Sequence, residues 1–434
     1  MRHFAVVGSG PAGFYTAEAL AKTYGAEARI DILDRYPVPY GLIRFGVAPD
    51  HQSIKAVSRR YDKVVEEAGV GFIGNVTLGQ DVSIAEMLEI YDAVILATGA
   101  PNDRTLGIDG EDLPGVIGSA AFVGWYNGHP EFAALAPDLS GKSAVVIGAG
   151  NVALDCARIL SKTRDEFEGS DIVGHALDSL GGGGMRDIVI LARRGLHQVA
   201  MTPKELGELA HLANACPVVD PSDFPPPAED EALDPGLRKS VALLRGFAEL
   251  DCGERAKTIH FDFFAKPLRI EGEGRAERVI VERTQLDGDR AVGTGETYSV
   301  PADLVISCIG YSTPPIDGVD YDEDKGRFRN DAGRIGDRLY CVGWARRGPT
   351  GTIGTNRPDG YEVADQIAVA MPAGSEGERG GSDALTALLD SRGVKPTDYA
   401  DWHRIEAQEA ANARPGSPRE KFVRVEHWLS ALGD

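Results

Sequence analysis

Twice along this chain an apolar run ends in a glycine-rich turn and passes into a segment with helical spacing, and no other feature restricts the fold as much. First come residues 3–7, then Gly8-Ser-Gly-Pro-Ala-Gly13, then Phe14, Ala17, Leu20 and Ala21 at one-face intervals. Far downstream come residues 143–147, then Gly148-Ala-Gly-Asn-Val-Ala153, with a helix expected through 152–160. A strand that turns on glycine into a helix opens a βαβ unit. Further strands are expected at 29–33, 91–97, 187–192, 303–308 and 338–342, and a helix at 53–68. The fold class is therefore α/β, with two Rossmann-like dinucleotide-binding domains.

The first turn has the chemistry of a pyrophosphate cradle. Gly8 permits the sharp turn, Gly10 lets backbone approach a ligand, and Gly13 allows close helix–strand packing, while the helix N-terminus stabilises phosphate charge. Asp34 closes the next strand, 26 residues after Gly8. A carboxylate there accepts hydrogen bonds from ribose hydroxyls. Strand, turn, helix and acid together make the motif strong, although they do not separate FAD from NAD.

The second turn differs where it matters. Ala153 takes the third glycine's place, which the fingerprint allows. The following strand ends in Arg193-Arg194 rather than in an acid. An acid would repel a 2′-phosphate, whereas two guanidiniums attract it. The pair selects NADP(H) over NAD(H).

Two other stretches bear on the sites. Gly343-Trp-Ala-Arg-Arg-Gly-Pro-Thr-Gly-Thr-Ile353 is a glycine-rich turn after a short strand. Its N–H groups suit an anionic flavin ring and ribityl chain, with Trp344 against the ring. Thr202-Pro-Lys-Glu205 reads as a helix start, which leaves Glu205 either as a capping-box acid or as a contact to the NADP ribose or nicotinamide.

Composition excludes several classes. With 45 basic and 66 acidic residues the net charge is −21, which argues against broad binding to nucleic acid or anionic membrane. We find no apolar run of membrane-spanning length, and the N-terminus enters a strand at once, so a cytoplasmic protein is expected. The five cysteines, Cys156, Cys216, Cys252, Cys308 and Cys341, form no CxxC pair. Such a scattered set fits a reducing compartment and argues against a redox dithiol or an iron–sulfur cluster; no metal site and no disulfide are expected. Gly181–Gly184 and Asp220–Asp234, the latter with four prolines and six acids, read as solvated, mobile loops. Residues 373–383 read as a linker to a helical tail around 384–431.

At this point the residues resemble a known family. Pro39-Tyr-Gly-Leu-Ile-Arg-Phe-Gly-Val-Ala-Pro-Asp-His51, Gly150-Asn-Val-Ala-Leu-Asp155, Arg193-Arg-Gly195 and Gly343-Trp344…Gly348-Pro-Thr-Gly351 are similar to the signatures of the adrenodoxin-reductase-like ferredoxin–NADP⁺ reductases. The tail, with Trp402, Phe422 and Trp428, resembles the bacterial members. The resemblance implies an NADP domain inserted in a FAD domain. The expected parts are 1–104 (FAD-binding, first part), 105–311 (inserted NADP-binding) and 312–434 (FAD-binding, second part, with the tail). It implies hydride transfer from NADPH to FAD and single electrons to a ferredoxin, an iron–sulfur protein, by a monomer.

Carried over residue by residue, Gly8, Gly10, Ala12, Gly13, Asp34, Leu42, Gly46, Val76, Trp344, Gly351, Thr352 and Ile353 contact FAD. Ala149, Gly150, Asn151, Val152, Arg193, Arg194 and Glu205 contact NADP, Gly351 lies between both cofactors, and Arg104 reaches the NADP side. His51, Asp155 and Glu205 are the candidate catalytic residues. Three departures stand out: Asp34 where many members have Glu, Ala at 149, and an unmatched loop at 220–234.

A ferredoxin is usually acidic, so docking on a chain of this charge needs a local basic surface. Arg238, Lys239 and Arg245 share one expected helix and are the candidate patch. Competing readings are a flavin monooxygenase and a non-enzymatic NADPH sensor or flavin store; a disulfide reductase is disfavoured by the missing CxxC.

Overall fold

In the computed structural model the described residues are 1–433 except 376 and 378, and for 67 and 68 the backbone alone. Part of the linker expected at 373–383 thus lies outside the described residues. The chain divides into two compact units. One comprises Met1–Asn102, Asn127–Pro130 and Tyr311–Asp434; the other, inserted in it, comprises Asp103–Tyr126 and Glu131–Gly310.

The discontinuous unit is built on a sheet in the order Arg334–Gly336, Leu339–Cys341, Ala93–Leu96, Arg2–Val7, Ala28–Leu33, Val70–Ile73. All neighbours are parallel except the first pair. Both faces are covered, so the central strands read as unbroken apolar runs. Alternation still sorts them: Phe4, Val6, Ile30, Ile32 and Ile95 enter one core, and Ala5, Val7, Leu33, Val94 and Leu96 the other. The helix expected at 53–68 is two pieces, Gln52–Lys55 and Ser58–Ala68. The tail forms Gly381–Ser391, Tyr399–Ala411 and Val425–Ser430, and it buries Trp402 and Trp428 in the first core.

The inserted unit has a parallel sheet in the order Val116–Gly118, Leu304–Ser307, Ser143–Ile147, Asp187–Ala192, Lys257–Phe263, Ala215–Val219. A second, antiparallel sheet of Ala265–Glu271, Arg278–Asp287 and Arg290–Pro301 closes one face. Val279, Val281 and Val300 from it pack with Val145, Ile147 and Leu191. In both units the chain leaves the central strand by neighbours on opposite sides, which opens a crevice at the strands' carboxyl ends.

Three expectations of local structure are corrected. Gly181 ends a helix, Gly174–Gly181, and at Gly184 a side chain would meet the Ser140 carbonyl at 2.5 Å, so the run begins in a helix and ends packed against residue 140, with Gly181 and Gly182 exposed. Residues 220–234 are also ordered, with 3-10 turns at Pro221–Asp223 and Pro227–Ala232. Arg245 explains this: its Nε donates to Asp230 at 2.7 Å, its Nη2 donates to the Pro225 carbonyl at 2.8 Å, and its guanidinium lies over Phe224. Finally, Cys216 and Cys252 form a disulfide, with Cα atoms 5.4 Å apart. Their separation of 36 residues in sequence hid a proximity set by the return of the chain into the sheet.

Two candidate dinucleotide sites

In the discontinuous unit, Gly8 has a φ of +116°, and a side chain there would lie 2.3 Å from the Ala97 carbonyl oxygen, so only glycine lets the turn pass under the neighbouring strand. At Gly10 nothing lies within 4 Å of where a side chain would be. Gly10 caps the helix Pro11–Tyr24 without any side-chain cap. The first-turn N–H groups of a 14-residue helix therefore face an open cradle, which is the fit an anionic pyrophosphate requires.

Asp34 stands beside this turn. Its Oδ2 accepts from the Ser9 N–H at 3.0 Å and from the Ser9 hydroxyl, and its Oδ1 from the Tyr36 N–H at 3.0 Å. Burial pushes the carboxyl up, against the pull of these donors. The hydrogen bonds fix the carboxylate and leave lone pairs for ribose hydroxyls. Val76, buried, donates its N–H to the Asp34 carbonyl at 3.0 Å. Tyr40 donates its N–H to the Ser9 carbonyl at 3.0 Å, which lays the 39–46 segment against the turn. On that segment Leu42 is 42% exposed, an apolar side chain held open, and Gly46 closes over it.

The 343–353 turn joins the same unit. Gly343 packs on Ala12, since a side chain there would meet the Ala12 methyl at 2.6 Å. Trp344 donates from its indole to the Thr350 carbonyl at 3.0 Å, and its ring stacks on Tyr311 with centroids 6.0 Å apart. Gly351, Thr352 and Ile353 lead, partly exposed, into the helix Asn356–Ala370. Arg347, which sequence reasoning missed, clamps this turn. It donates to Asp359, to the Thr350 carbonyl at 3.1 Å and to Asn356 Oδ1 at 3.0 Å. Its signal was its place inside the quoted motif, followed by an acid in the helix's first turn. His51 caps the short helix Gln52–Lys55 and is half-buried.

The inserted unit repeats the design. Gly148 has a φ of +145°, and a side chain there would meet the Cys308 carbonyl oxygen at 2.4 Å. Gly150, with open space above it, caps Asn151–Ser161 without a side-chain cap. Ala149 accepts the Ala200 N–H at 2.9 Å, and Asn151 Oδ1 accepts the Thr202 N–H at 2.8 Å. Val152 lies in the first turn. At the end of Asp187–Ala192, Arg193 is exposed and makes no ion pair among the described residues. Arg194, half-buried, points a guanidinium N–H at the Gln198 carbonyl at 3.4 Å.

At Glu205 the capping-box reading is not met. The helix Pro203–Leu209 has no side-chain cap from Thr202, so no capping box forms. Instead Glu205 Oε2 is buried without a hydrogen-bond partner, and a buried acceptor left unmatched fits a ligand that brings a donor. Asp155 is already committed: its Oδ1 accepts from Arg158 at 2.8 Å, and Arg158 also reaches Glu208 at 3.3 Å. Arg104 lies on the same unit and donates its N–H to the Gly310 carbonyl at 3.1 Å.

The basic patch is narrower than its sequence spacing implied. All three residues lie on the helix Pro235–Ala248. Arg245 is neutralised by Asp230, which His197 also contacts at 2.8 Å. Arg238 donates to the Glu231 and Leu233 carbonyls at 2.6 and 3.0 Å. Lys239 is exposed and makes no ion pair among the described residues.

Known proteins share these features. Residues 2–208 match the family model described as pyridine nucleotide-disulphide oxidoreductase. The chain is 40% identical to NADPH-ferredoxin reductase FprA of Mycobacterium tuberculosis, over 98% of each chain. It is 42% identical to the human mitochondrial NADPH:adrenodoxin oxidoreductase, over 99% of this chain and 91% of that protein. It is similar, with a TM-score of 0.95, 39% identity and full coverage of both chains, to the solved structure of Mycobacterium tuberculosis FprA in complex with NADPH. With two glycine-rich turns of this geometry and this likeness over 98–99% of its length, the chain belongs to the family of NADPH–ferredoxin and NADPH:adrenodoxin reductases.

Proposed function

We propose that this protein is an FAD-dependent NADPH–ferredoxin oxidoreductase. The observation that carries the reading is the inequality of the surroundings of its two uncapped helix N-termini: a fixed carboxylate, Asp34, is hydrogen-bonded to the first turn, and the strand paired beside the second ends in an exposed arginine, Arg193. FAD belongs with the unit of Met1–Asn102, Asn127–Pro130 and Tyr311–Asp434, and NADP(H) with the inserted unit of Asp103–Tyr126 and Glu131–Gly310.

Bound FAD supplies the conversion of a two-electron hydride into single electrons. The chain's own part is position and electrostatics. Gly8, Gly10, Ala12 and Gly13 present backbone to the FAD pyrophosphate, and Asp34 accepts from its ribose. Leu42, Gly46 and Val76 line the same cofactor with Trp344 and Gly351–Ile353, held by Arg347. Gly150, Asn151 and Val152 offer N–H groups to the NADP pyrophosphate, with Ala149 contributing backbone alone. Arg193 and Arg194 take the 2′-phosphate, and Arg104 stands on the NADP side. Glu205 accepts a hydrogen bond from the ribose or the nicotinamide amide. His51 is the remaining polar group for proton handling beside the FAD loop, and Asp155 acts by holding Arg158. Lys239, with Arg238, meets an acidic iron–sulfur partner. We infer a monomer in the cytoplasm; among the described residues no helix is long and apolar enough to cross a membrane.

The purified protein is expected to carry FAD, read from its visible absorption, and to reduce a ferredoxin rapidly with NADPH and slowly with NADH. Substrate-coupled oxygen consumption in place of ferredoxin reduction would favour a monooxygenase. A colourless protein that takes up no FAD would overturn the reading.

A further inference from the structure

Three successive residues at the end of Asp187–Ala192 are held by two residues far away in sequence. The Arg193 carbonyl accepts the Thr284 hydroxyl at 2.8 Å across 91 residues. The Arg194 carbonyl accepts the Phe264 N–H at 3.3 Å. The Gly195 Cα lies under the Phe264 ring, so that a side chain at 195 would come within 2.5 Å of the ring tip. Phe264 and Thr284 are joined in turn, the Thr284 N–H donating to the Phe264 carbonyl at 2.8 Å.

The brace sits on irregular backbone. Phe264 is the single residue between the parallel strand Lys257–Phe263 and the antiparallel strand Ala265–Glu271. It has a φ of +53°, a conformation that bulky residues rarely adopt and that persists only where surroundings impose it. Thr284 is 6% exposed and lies where the pairing of Arg278–Asp287 with Arg290–Pro301 shifts register, between Glu282 and Thr284. Strand irregularities of this kind re-aim side chains beside functional sites. Arg283, between them, adds a bond from its guanidinium to the Phe263 carbonyl at 3.0 Å.

We propose that Thr284 and Phe264 are specificity-determining positioning residues: they fix the backbone from which Arg193 and Arg194 reach the 2′-phosphate, and so set the preference for NADPH over NADH. The inference rests on the assignment of Arg193 to that phosphate. A guanidinium on a long flexible stem discriminates a phosphate only if its backbone origin is fixed, because a loose origin lets it miss without cost to the rest of the nucleotide. In this role the two residues act through the backbone of 193–195, to which their contacts run.

The test is equilibrium binding of 2′,5′-ADP and of 5′-AMP to the FAD-loaded protein, for the parent, Thr284→Val, Thr284→Ser, Gly195→Ala and Arg193→Ala. Thr284→Val removes one buried hydrogen bond at constant shape. It is expected to weaken 2′,5′-ADP about five- to tenfold and to leave 5′-AMP as in the parent. In turnover the loss appears in KM for NADPH rather than in kcat. Thr284→Ser restores the preference. Gly195→Ala, which forces the ring and the strand end apart, lowers the preference by an independent route and covers the case in which Thr284→Val does not fold. Equal weakening of both probes by Thr284→Val and Gly195→Ala, or no weakening, overturns the proposal when Arg193→Ala abolishes the preference. If Arg193→Ala leaves the preference intact, the assignment of the phosphate to Arg193 itself is wrong.

Discussion

Arg44 and Glu409, 365 residues apart, form an ion pair closed off from solvent, with side-chain exposures of 4% and 0%. The Arg44 guanidinium also lies 5.4 Å from the ring centre of Trp402 and 5.7 Å from that of Trp428. Glu409 Oε1 additionally accepts the Phe422 N–H at 3.0 Å. Arg44 belongs to the helix Leu42–Phe45, so the helical tail anchors the segment that carries Leu42 and Gly46 and lies against the Gly8–Gly13 turn. Removing one partner leaves a buried charge uncompensated, which costs more than the pair contributes. Glu409→Ala should therefore destabilise the protein by about 3–5 kcal/mol and speed the release of FAD. Denaturant unfolding and the rise of free-flavin fluorescence measure the two effects. A loss below about 1 kcal/mol, the scale of an exposed pair, would mean that the pair does not hold the loop.

Glu205 separates binding from stability. Since it makes no capping box and its Oε2 is buried without a partner, Glu205→Gln removes an unmatched charge and should not lower thermal stability. It should raise KM for NADPH or slow flavin reduction in stopped flow. A destabilised variant with parental kinetics would return Glu205 to a structural role.

On the helix Pro235–Ala248 the three basic residues should behave differently. Lys239→Glu is expected to raise KM for ferredoxin, most at low ionic strength, because an exposed unpaired charge acts through long-range attraction that salt screens. Arg245→Ala should instead free the 221–232 segment, seen as faster amide exchange or proteolysis there, since Arg245 is spent on Asp230 and Pro225. Equal, salt-dependent effects of both substitutions on KM would restore the wider patch.

Asp223 makes stability depend on pH. Burial first, and the Asp220 charge second, push its carboxyl from 3.8 up to about 6, with Arg283 opposing. Between these values the folded chain binds a proton there that the unfolded chain has released. Stability from this group is thus fully present below about pH 4 and is lost as pH rises through about 6. Thermal melts of the parent should fall across that interval relative to Asp223→Asn, which cannot titrate. Parallel curves would place the Asp223 carboxyl at its ordinary value.

Much of the site was legible because it is local. The turns at Gly8–Gly13 and Gly148–Ala153, the acid at Asp34 and the pair Arg193-Arg194 lie within one βαβ unit each, where strand length and turn chemistry dictate position. The antiparallel sheet was not anticipated, although Gly288-Asp289 stands between its two longest strands as a hairpin signal. The mobile-loop reading of 220–234 failed because composition counts prolines and acids but does not include Arg245, which folds the segment from outside it. The same contact shrank the docking patch: helical spacing tells which basic residues share a face and not what lies opposite.

The sequence by itself determined two dinucleotide turns, their unequal partners and the family, since each depends on residues a few positions apart along strands and helices of fixed geometry. Tertiary structure alone decided which charges remain free, that Glu205 is an unmatched acceptor, that the tail locks Arg44, and that Phe264 and Thr284 hold the end of the arginine strand. Each of these depends on a desolvated contact between segments tens to hundreds of residues apart, and local preferences carry no information about such contacts.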